Sequence, residues 1–407
     1  MTALIIACIY GGVSLANSLN DQYNNKNLKL IMDETSESEG FCLTDYVSQL
    51  SYSGIQSLYK DACVSIQVNS ISGSWLGSGV CVASKGYSMN ESFVLEGGSY
   101  IVTNYHVIET YYDYIGTEIT VYPNEYSNSE RFGVQLSYSA ELLWSDSYLD
   151  LAIIYVEQNI DWVQMKDRSV EGSDKLRQNE NAFVIGTPQS LSYQNTITRG
   201  TIASTELTYS YTVERLYFTE VMSNIYEDVI PIQISIMGGN SGGGLFDSSG
   251  YLVGLPTLGT QNSQSSSAVN YAVPIYPITV VIDEIIASNE DDQRAQITSL
   301  DDLDFVVIDS KESSIMIREF DAKNVYFYGS YYSRTTTLNF SDEGLKIIKA
   351  GTLSELSEGE IIKSAQFNEK SYNLSSRNDL IYLLLKCKTG DMLRFQLNDD
   401  TFKEVIL

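Results

Sequence analysis

From Ala62 onward the chain runs in short apolar segments divided by Gly, Ser and Asn, and this rhythm limits what it can fold into. Cys63-Val64-Ser65-Ile66-Gln67-Val68 alternates with period two, the pattern of a strand with one buried face. Tyr100 to Thr103, Gly133 to Tyr138, Leu151 to Val156, Phe183 to Ile185 and Tyr251 to Leu255 read as strands too. Many close strands with little helix between them predict a barrel or a sandwich. Helical spacing comes late, where Ile278, Val281, Ile282, Ile285 and Ile286 fall on one face. The 28 glycines against 6 prolines, and the 30 tyrosines, agree with a β-rich chain of tight turns.

The remaining segments suggest an order of domains. Residues 1–16 are apolar and small. They read as an anchor or signal remnant, as a lipoprotein start at Cys8, or as an ordinary buried segment, since a spanning helix needs roughly 20 apolar residues. Residues 17–48 are rich in Asn, Asp, Glu and Ser and read as a polar tether. A globular region is expected over 49–288, an acidic linker over 289–304, and a second folded region over 305–407. The second region carries strand-like Phe305 to Ile308, Leu345 to Ile348 and Met392 to Leu397, with an amphipathic helix near Asn378 to Cys387. Ser84–Gly98 and Glu109–Arg131 look like insertions that lengthen surface loops. The Tyr326 to Tyr332 cluster is either core packing or a binding surface.

Charge excludes one class of partner. Among 407 residues, 25 Lys and Arg face 52 Asp and Glu, a net charge of −27, so nucleic acid is repelled. The five cysteines, Cys8, Cys42, Cys63, Cys81 and Cys387, show no C-x-x-C spacing, which argues against a thiolate metal site; most are expected to be small buried hydrophobes. The single histidine, His106, means that any imidazole chemistry must pass through that residue.

Three segments stand out: Thr103-Asn104-Tyr105-His106-Val107-Ile108 at a strand end, Asp150-Leu151-Ala152-Ile153-Ile154 at a strand start, and Gly238-Gly239-Asn240-Ser241-Gly242-Gly243-Gly244-Leu245. A hydroxyl nucleophile needs a base within hydrogen-bond reach and an acid that orients the base. It also needs backbone N–H groups aimed at the developing oxyanion, and glycines around the serine allow the required turn. A glycine-flanked serine alone is most often a turn and a lone histidine most often structural. The three segments together, in the order His, Asp, Ser, follow the chymotrypsin-type triad.

These segments resemble the HtrA (Deg) group of trypsin-like serine proteases. Gly77-Ser78-Gly79-Val80, Ile185-Gly186-Thr187-Pro188, Thr196-Ile197-Thr198-Arg199-Gly200-Thr201-Ile202 and Tyr271-Ala272-Val273-Pro274-Ile275 extend the resemblance over roughly 55–288. Before the nucleophile the family's Thr-Asp-Ala-Ala-Ile-Asn is replaced by Ile232-Gln233-Ile234-Ser235-Ile236-Met237. Gly344 to Lys349, Gly359 to Ser364 and Thr389 to Leu393 resemble segments of the PDZ domain that follows the protease in this group.

The resemblance implies a mainly β chain: a chymotrypsin-like double six-stranded β-barrel followed by a smaller α+β PDZ-like domain. It implies a serine endopeptidase with His106 as general base, Asp150 as its orienter, Ser241 as nucleophile, and the Gly239 and Ser241 N–H groups as oxyanion donors. The residue six before the nucleophile, Ser235, would lie at the base of the substrate pocket, with Ile236, Thr257 and Leu258 lining it. No metal or cofactor is implied. Unfolded polypeptides are the implied substrates, a homotrimer the implied assembly, and the extracytoplasmic space, secreted or tethered to a membrane, the implied location. The competing class is a non-catalytic binder or chaperone on a protease scaffold.

Overall fold

The computed structural model describes residues 42–45, 51–71, 73–89, 95–109, 117–124, 135–168, 175–204, 214–217, 220–223, 229–259, 269–291, 295–309, 314–320, 331–337 and 344–407. The apolar amino-terminal segment, most of the tether, most of the 109–131 insertion and Tyr326 to Gly329 lie outside these residues, as do the side chains of Tyr331 and Tyr332. The described residues fall into two compact units, one within Met1–Ser145, Asp150–Leu207 and Ile230–Thr279, the other within Asp146–Leu149, Thr208–Val229 and Val280–Leu407.

The first unit opens with helix α1 (Tyr52–Leu58), capped by the Ser51 hydroxyl, which accepts from the Gly54 N–H at 3.3 Å. Six strands follow: β1 (Cys63–Ser70), β2 (Gly73–Met89), β3 (Leu95–Thr103), β4 (Glu118–Tyr122), β5 (Tyr138–Asp146) and β6 (Leu151–Val156). They close into a barrel in the order β1-β2-β3-β6-β5-β4. The period-two pattern explains the closure: Val64, Ile66 and Val68 of β1 meet Ile101, Ala152, Ile154 and Val156 in one core. Each such fully buried Val or Ile stabilises the fold by about 1.5–3 kcal/mol. Part of the insertion read as loop is continuous ribbon instead, with Ser84 opposite Ser99 and Met89 opposite Leu95. The strand expected over Gly133 to Tyr138 begins at Tyr138.

The next strands in chain order are β7 (Asn181–Gly186), β8 (Thr196–Ile202), β9 (Glu214–Tyr217), β10 (Glu220–Ser223), β11 (Ile230–Gln233), β12 (Gly244–Asp247), β13 (Leu252–Gly259) and β14 (Asn270–Pro274). All except β9 and β10 form a second closed barrel, β11-β14-β13-β12-β7-β8. Taking β7, β8, β11, β12, β13 and β14 as first to sixth, its order is 1-2-3-6-5-4, the permutation of the first barrel. The segment that departs from the family before the nucleophile starts in the last residues of β11, where Ile232 and the following Ile234 are buried with Val184, Leu245 and Ala272; Ser235 to Met237 lie beyond the strand.

The barrels meet through polar groups as well as apolar ones. The Ser65 and Thr187 hydroxyls lie 2.6 Å apart in a buried position. Tyr59, Phe183 and Phe246 form a buried aromatic cluster, with 5.1 Å between the Tyr59 and Phe246 rings. The Arg168 guanidinium reaches Glu180 at 2.6 Å and Asp247 at 2.7 Å, which satisfies its charge at a buried position.

Helix α2 (Tyr105–Ile108) follows β3, and helix α3 (Tyr276–Glu290) follows β14. The acidic stretch read as a solvated linker contains the helical turn α4 (Leu300–Leu303), in which Leu300 and Leu303 are buried.

The second unit adds β15 (Val306–Asp309), β16 (Ser314–Phe320), β17 (Tyr331–Thr337), β18 (Leu345–Lys349), β19 (Ile361–Phe367), β20 (Lys370–Asn373), helix α5 (Arg377–Leu384), β21 (Met392–Leu397) and β22 (Phe402–Ile406). One sheet runs β15-β18-β19-β21-β22, with β20 on β19; another runs β17-β16-β10-β9. Helix α5 carries a capping box formed by Ser376 and Asp379. Within this unit the Arg377 guanidinium sits over the Tyr148 ring at 5.5 Å and donates from Nε to the Val307 carbonyl at 3.1 Å. Among the described residues, no helix is long and apolar enough to cross a membrane.

Candidate active site

His106 is carried by the single turn α2, whose flanking Tyr105, Val107 and Ile108 are buried in the first barrel. That anchoring holds the turn against the barrel, while the His106 side chain remains 33% exposed. Its Nδ1 lies 3.0 Å from both Asp150 carboxylate oxygens, and its backbone N–H donates to Asp150 Oδ1 at 3.0 Å.

Asp150 ends the turn before β6 with φ +54°, a left-handed conformation that Asp and Asn adopt more readily than other side-chain-bearing residues. The Asp146 carboxylate shapes that turn, accepting from the Tyr148 and Leu149 N–H groups at 2.9 Å each. Asp150 is fully buried. Burial pushes its carboxyl pKa up, but the His106 imidazole, together with hydrogen bonds from His106 and the Thr257 hydroxyl, outweighs burial and holds it below the usual carboxylate range.

Ser241 lies in the glycine loop before β12. Its carbonyl accepts from the Ser78 N–H at 2.9 Å, which ties the loop to β2 of the first barrel. Its hydroxyl is directed at the Thr257 carbonyl, 3.5 Å away. The glycines on either side are required by shape. A Cβ on Gly242, at φ +80°, would sit 2.2 Å from both the Ser78 carbonyl and Thr103 Oγ1, and a Cβ on Gly239, at φ +96°, would sit 2.3 Å from the Thr187 carbonyl. The Gly238 carbonyl accepts from the Gln189 N–H at 2.7 Å, which turns the Gly239 N–H to the other side of that peptide. Among the described residues, neither the Gly239 nor the Ser241 N–H has a protein acceptor.

The residues expected to line a substrate pocket are not equivalent. Ser235 is exposed, Ile236 is half-buried against the second core, and Thr257 is buried behind Asp150, to which it donates. The Leu258 side chain lies outside the described residues. Sequence reasoning missed the role of Asn104. It is fully buried, its Nδ2 donates to the Asp150 carbonyl at 2.9 Å, and its Oδ1 accepts from the Gly242 N–H at 2.6 Å. The signal available was an asparagine directly before the histidine turn, where a cap is the ordinary assignment.

Residues 77–255 match the trypsin-like peptidase domain family. The chain is 27% identical over 194 residues to chloroplastic Protease Do-like 1 of Arabidopsis thaliana, covering 48% of this chain and 38% of that protein. It is 24% identical over 290 residues to the serine protease Do-like HtrA of Lactococcus lactis subsp. cremoris, covering 68% and 62%. A probable periplasmic serine endoprotease, DegP-like, of a Marinomonas species is 27% identical over 199 residues, covering 49% and 35%. The chain thus spans less than two thirds of the length of each of these relatives. A solved HtrA-type protease with tripeptide superposes with a TM-score of 0.53 at 19% identity, covering 88% of this chain and 96% of that one, and supports the fold.

Proposed function

We propose, from the premise that this chain is an HtrA-like, trypsin-type peptidase, that it is a serine endopeptidase in which Ser241 attacks, His106 moves the proton and Asp150 orients His106. The observation that carries the reading is the 3.0 Å contact of His106 Nδ1 with a buried, ionised Asp150, on the barrel to which the Ser241 loop is tied. With Nδ1–H held by Asp150, Nε2 is the ring nitrogen left to accept a proton. Attack forms a bond from Ser241 Oγ to the scissile carbonyl carbon as the hydroxyl proton passes to His106. Collapse breaks the C–N bond, and the leaving amine takes that proton. Water then repeats the sequence to release the acid. Attack requires the Ser241 hydroxyl to leave the Thr257 carbonyl; at 3.5 Å that contact is at the limit of a hydrogen bond, so little is lost. The available Gly239 and Ser241 N–H groups support their role as oxyanion donors.

The same reading extends to partners and place. Unfolded polypeptides are the proposed substrates, a homotrimer the proposed assembly, and an extracytoplasmic site, secreted or tethered through the amino-terminal segment, the proposed location. A relative named as periplasmic supports that location. The strand–helix–strand pattern from β18 to β21 supports a PDZ-like role for the carboxy-terminal residues. Treatment with a fluorophosphonate probe tests the core of the proposal. Covalent modification at Ser241, absent from Ser241→Ala, is expected. An unmodified Ser241 in a folded chain would point to the non-catalytic scaffold instead.

A further inference from the structure

We propose that Asn104 is a positioning residue of this site, whose carboxamide fixes the Asp150 and Ser241 backbones against the turn that carries His106. The inference rests on the serine-protease reading. Asn104 occupies the N-cap position of α2, where an asparagine side chain ordinarily accepts from an N–H of the first turn. Here it makes no cap. The His106 N–H, which such a cap could satisfy, is held at 3.0 Å by Asp150 Oδ1. The two residues have exchanged partners: Asp150 caps the histidine turn, and Asn104 holds the Asp150 carbonyl at 2.9 Å.

The other end of the same amide accepts from the Gly242 N–H at 2.6 Å, one residue past the nucleophile. Both backbones so held are left-handed, Asp150 at φ +54° and Gly242 at φ +80°. Aspartate tolerates that region, and the donor on its carbonyl fixes which way its peptide faces. One donor and one acceptor, on a planar group with a single orientation, therefore set His106, Asp150 and Ser241 relative to one another. An apolar side chain of the same size would pack but would leave a buried carbonyl without its donor, and Gly242 N–H with only its 3.3 Å contact to the Pro256 carbonyl.

The test is saturation kinetics of fluorophosphonate labelling at Ser241, which separates the maximal labelling rate from the half-saturating concentration. Asn104→Ala is expected to lower the maximal rate on the order of 100-fold, as a misplacement of about 1 Å does. The half-saturating concentration should stay within about two-fold, because the probe's binding surface is unchanged. Asn159→Ala is the control. Asn159 is a buried asparagine that likewise holds backbone, accepting from the Gly98 N–H at 2.9 Å, beyond the far end of β6 from Asp150. It should lower the unfolding midpoint comparably and leave the labelling rate at wild-type level. If Asn104→Ala does not fold, Asn104→Asp decides; it keeps the size and the acceptor for Gly242 but loses the donor to Asp150, and a similar fall in rate is expected. Wild-type labelling in a folded Asn104 variant, or an equal loss in Asn159→Ala, overturns the inference. A wild-type chain that does not label strikes the protease reading itself, and this inference falls with it.

Discussion

The Ser78 hydroxyl donates to the Gly239 carbonyl at 2.7 Å and accepts from the Thr187 N–H at 2.8 Å, so one side chain of the first barrel grips two backbone segments of the second. The nucleophile loop is fastened to the first barrel as well as to its own. Ser78→Ala leaves the buried Thr187 N–H and the partly buried Gly239 carbonyl without this partner, at a cost of about 1–3 kcal/mol for the buried group. The expected outcome is a lower unfolding midpoint together with slower fluorophosphonate labelling. A loss of stability with an unchanged labelling rate would show that the grip does not set the loop.

Ser241→Ala and His106→Ala should each reduce casein cleavage by roughly 10⁴–10⁶-fold with the circular dichroism spectrum unchanged. The double variant should be no worse than either single one, because the groups act as a unit. No second histidine exists to substitute, so substantial activity in His106→Ala would refute the triad assignment.

Acid should destabilise the chain partly through Asp150. Its folded-state pKa lies below the unfolded value, so the ionised carboxylate contributes stability that is present at neutral pH. That contribution is lost as pH falls from about 4, the ordinary carboxylate value, towards the lower folded value. Asp150→Asn should be less stable at neutral pH, and its difference from wild type should shrink below that point. Thermal melts between pH 7 and 3 check this; a constant difference would contradict it.

The buried thiols should be inert in the native state. Burial pushes Cys63 far above the thiol range and raises Cys81 and Cys387 each to about 12, whereas Cys42 is half-buried and less shielded. Of these four, Cys42 should be alkylated first by iodoacetamide, with the others reacting only on unfolding. Mass spectrometry of timed samples reads the order directly.

The pocket assignment that the HtrA resemblance implies yields a prediction of its own: Ser235 has no charge to pair with a basic side chain, and Ile236 beside it is apolar. Cleavage is expected after Val, Ala, Leu or Ile, with loose discrimination, since one methylene is worth roughly 1–3 kcal/mol in such a pocket. Mapping cut sites in an unfolded protein tests this; dominant cleavage after Lys, Arg or Glu would exclude it.

The sequence showed β1, β3, β6, β7 and β13 through their short apolar runs, and it singled out His106, Asp150 and Ser241 as residue types set at strand ends, because both are local signals. It could not reveal Thr257 donating to Asp150 across 107 positions, or Asn104 reaching Gly242 across 138. Those bonds depend on the closure of both barrels, and nothing in Asn104's neighbours distinguishes it from a helix cap. The continuation of β2 to Met89 was hidden for the opposite reason: Ser84-Lys85-Gly86-Tyr87-Ser88 carries no apolar alternation, so a ribbon there looks like a loop.

The shared strand permutation of the two barrels does not extend to their polar side chains. The barrels repeat a plan but not an inheritance of parts: one carries His106 and Asp150, the other Ser241 and Thr257. Either barrel by itself holds half of that set. Bringing these four side chains together therefore depends on the seam between the halves.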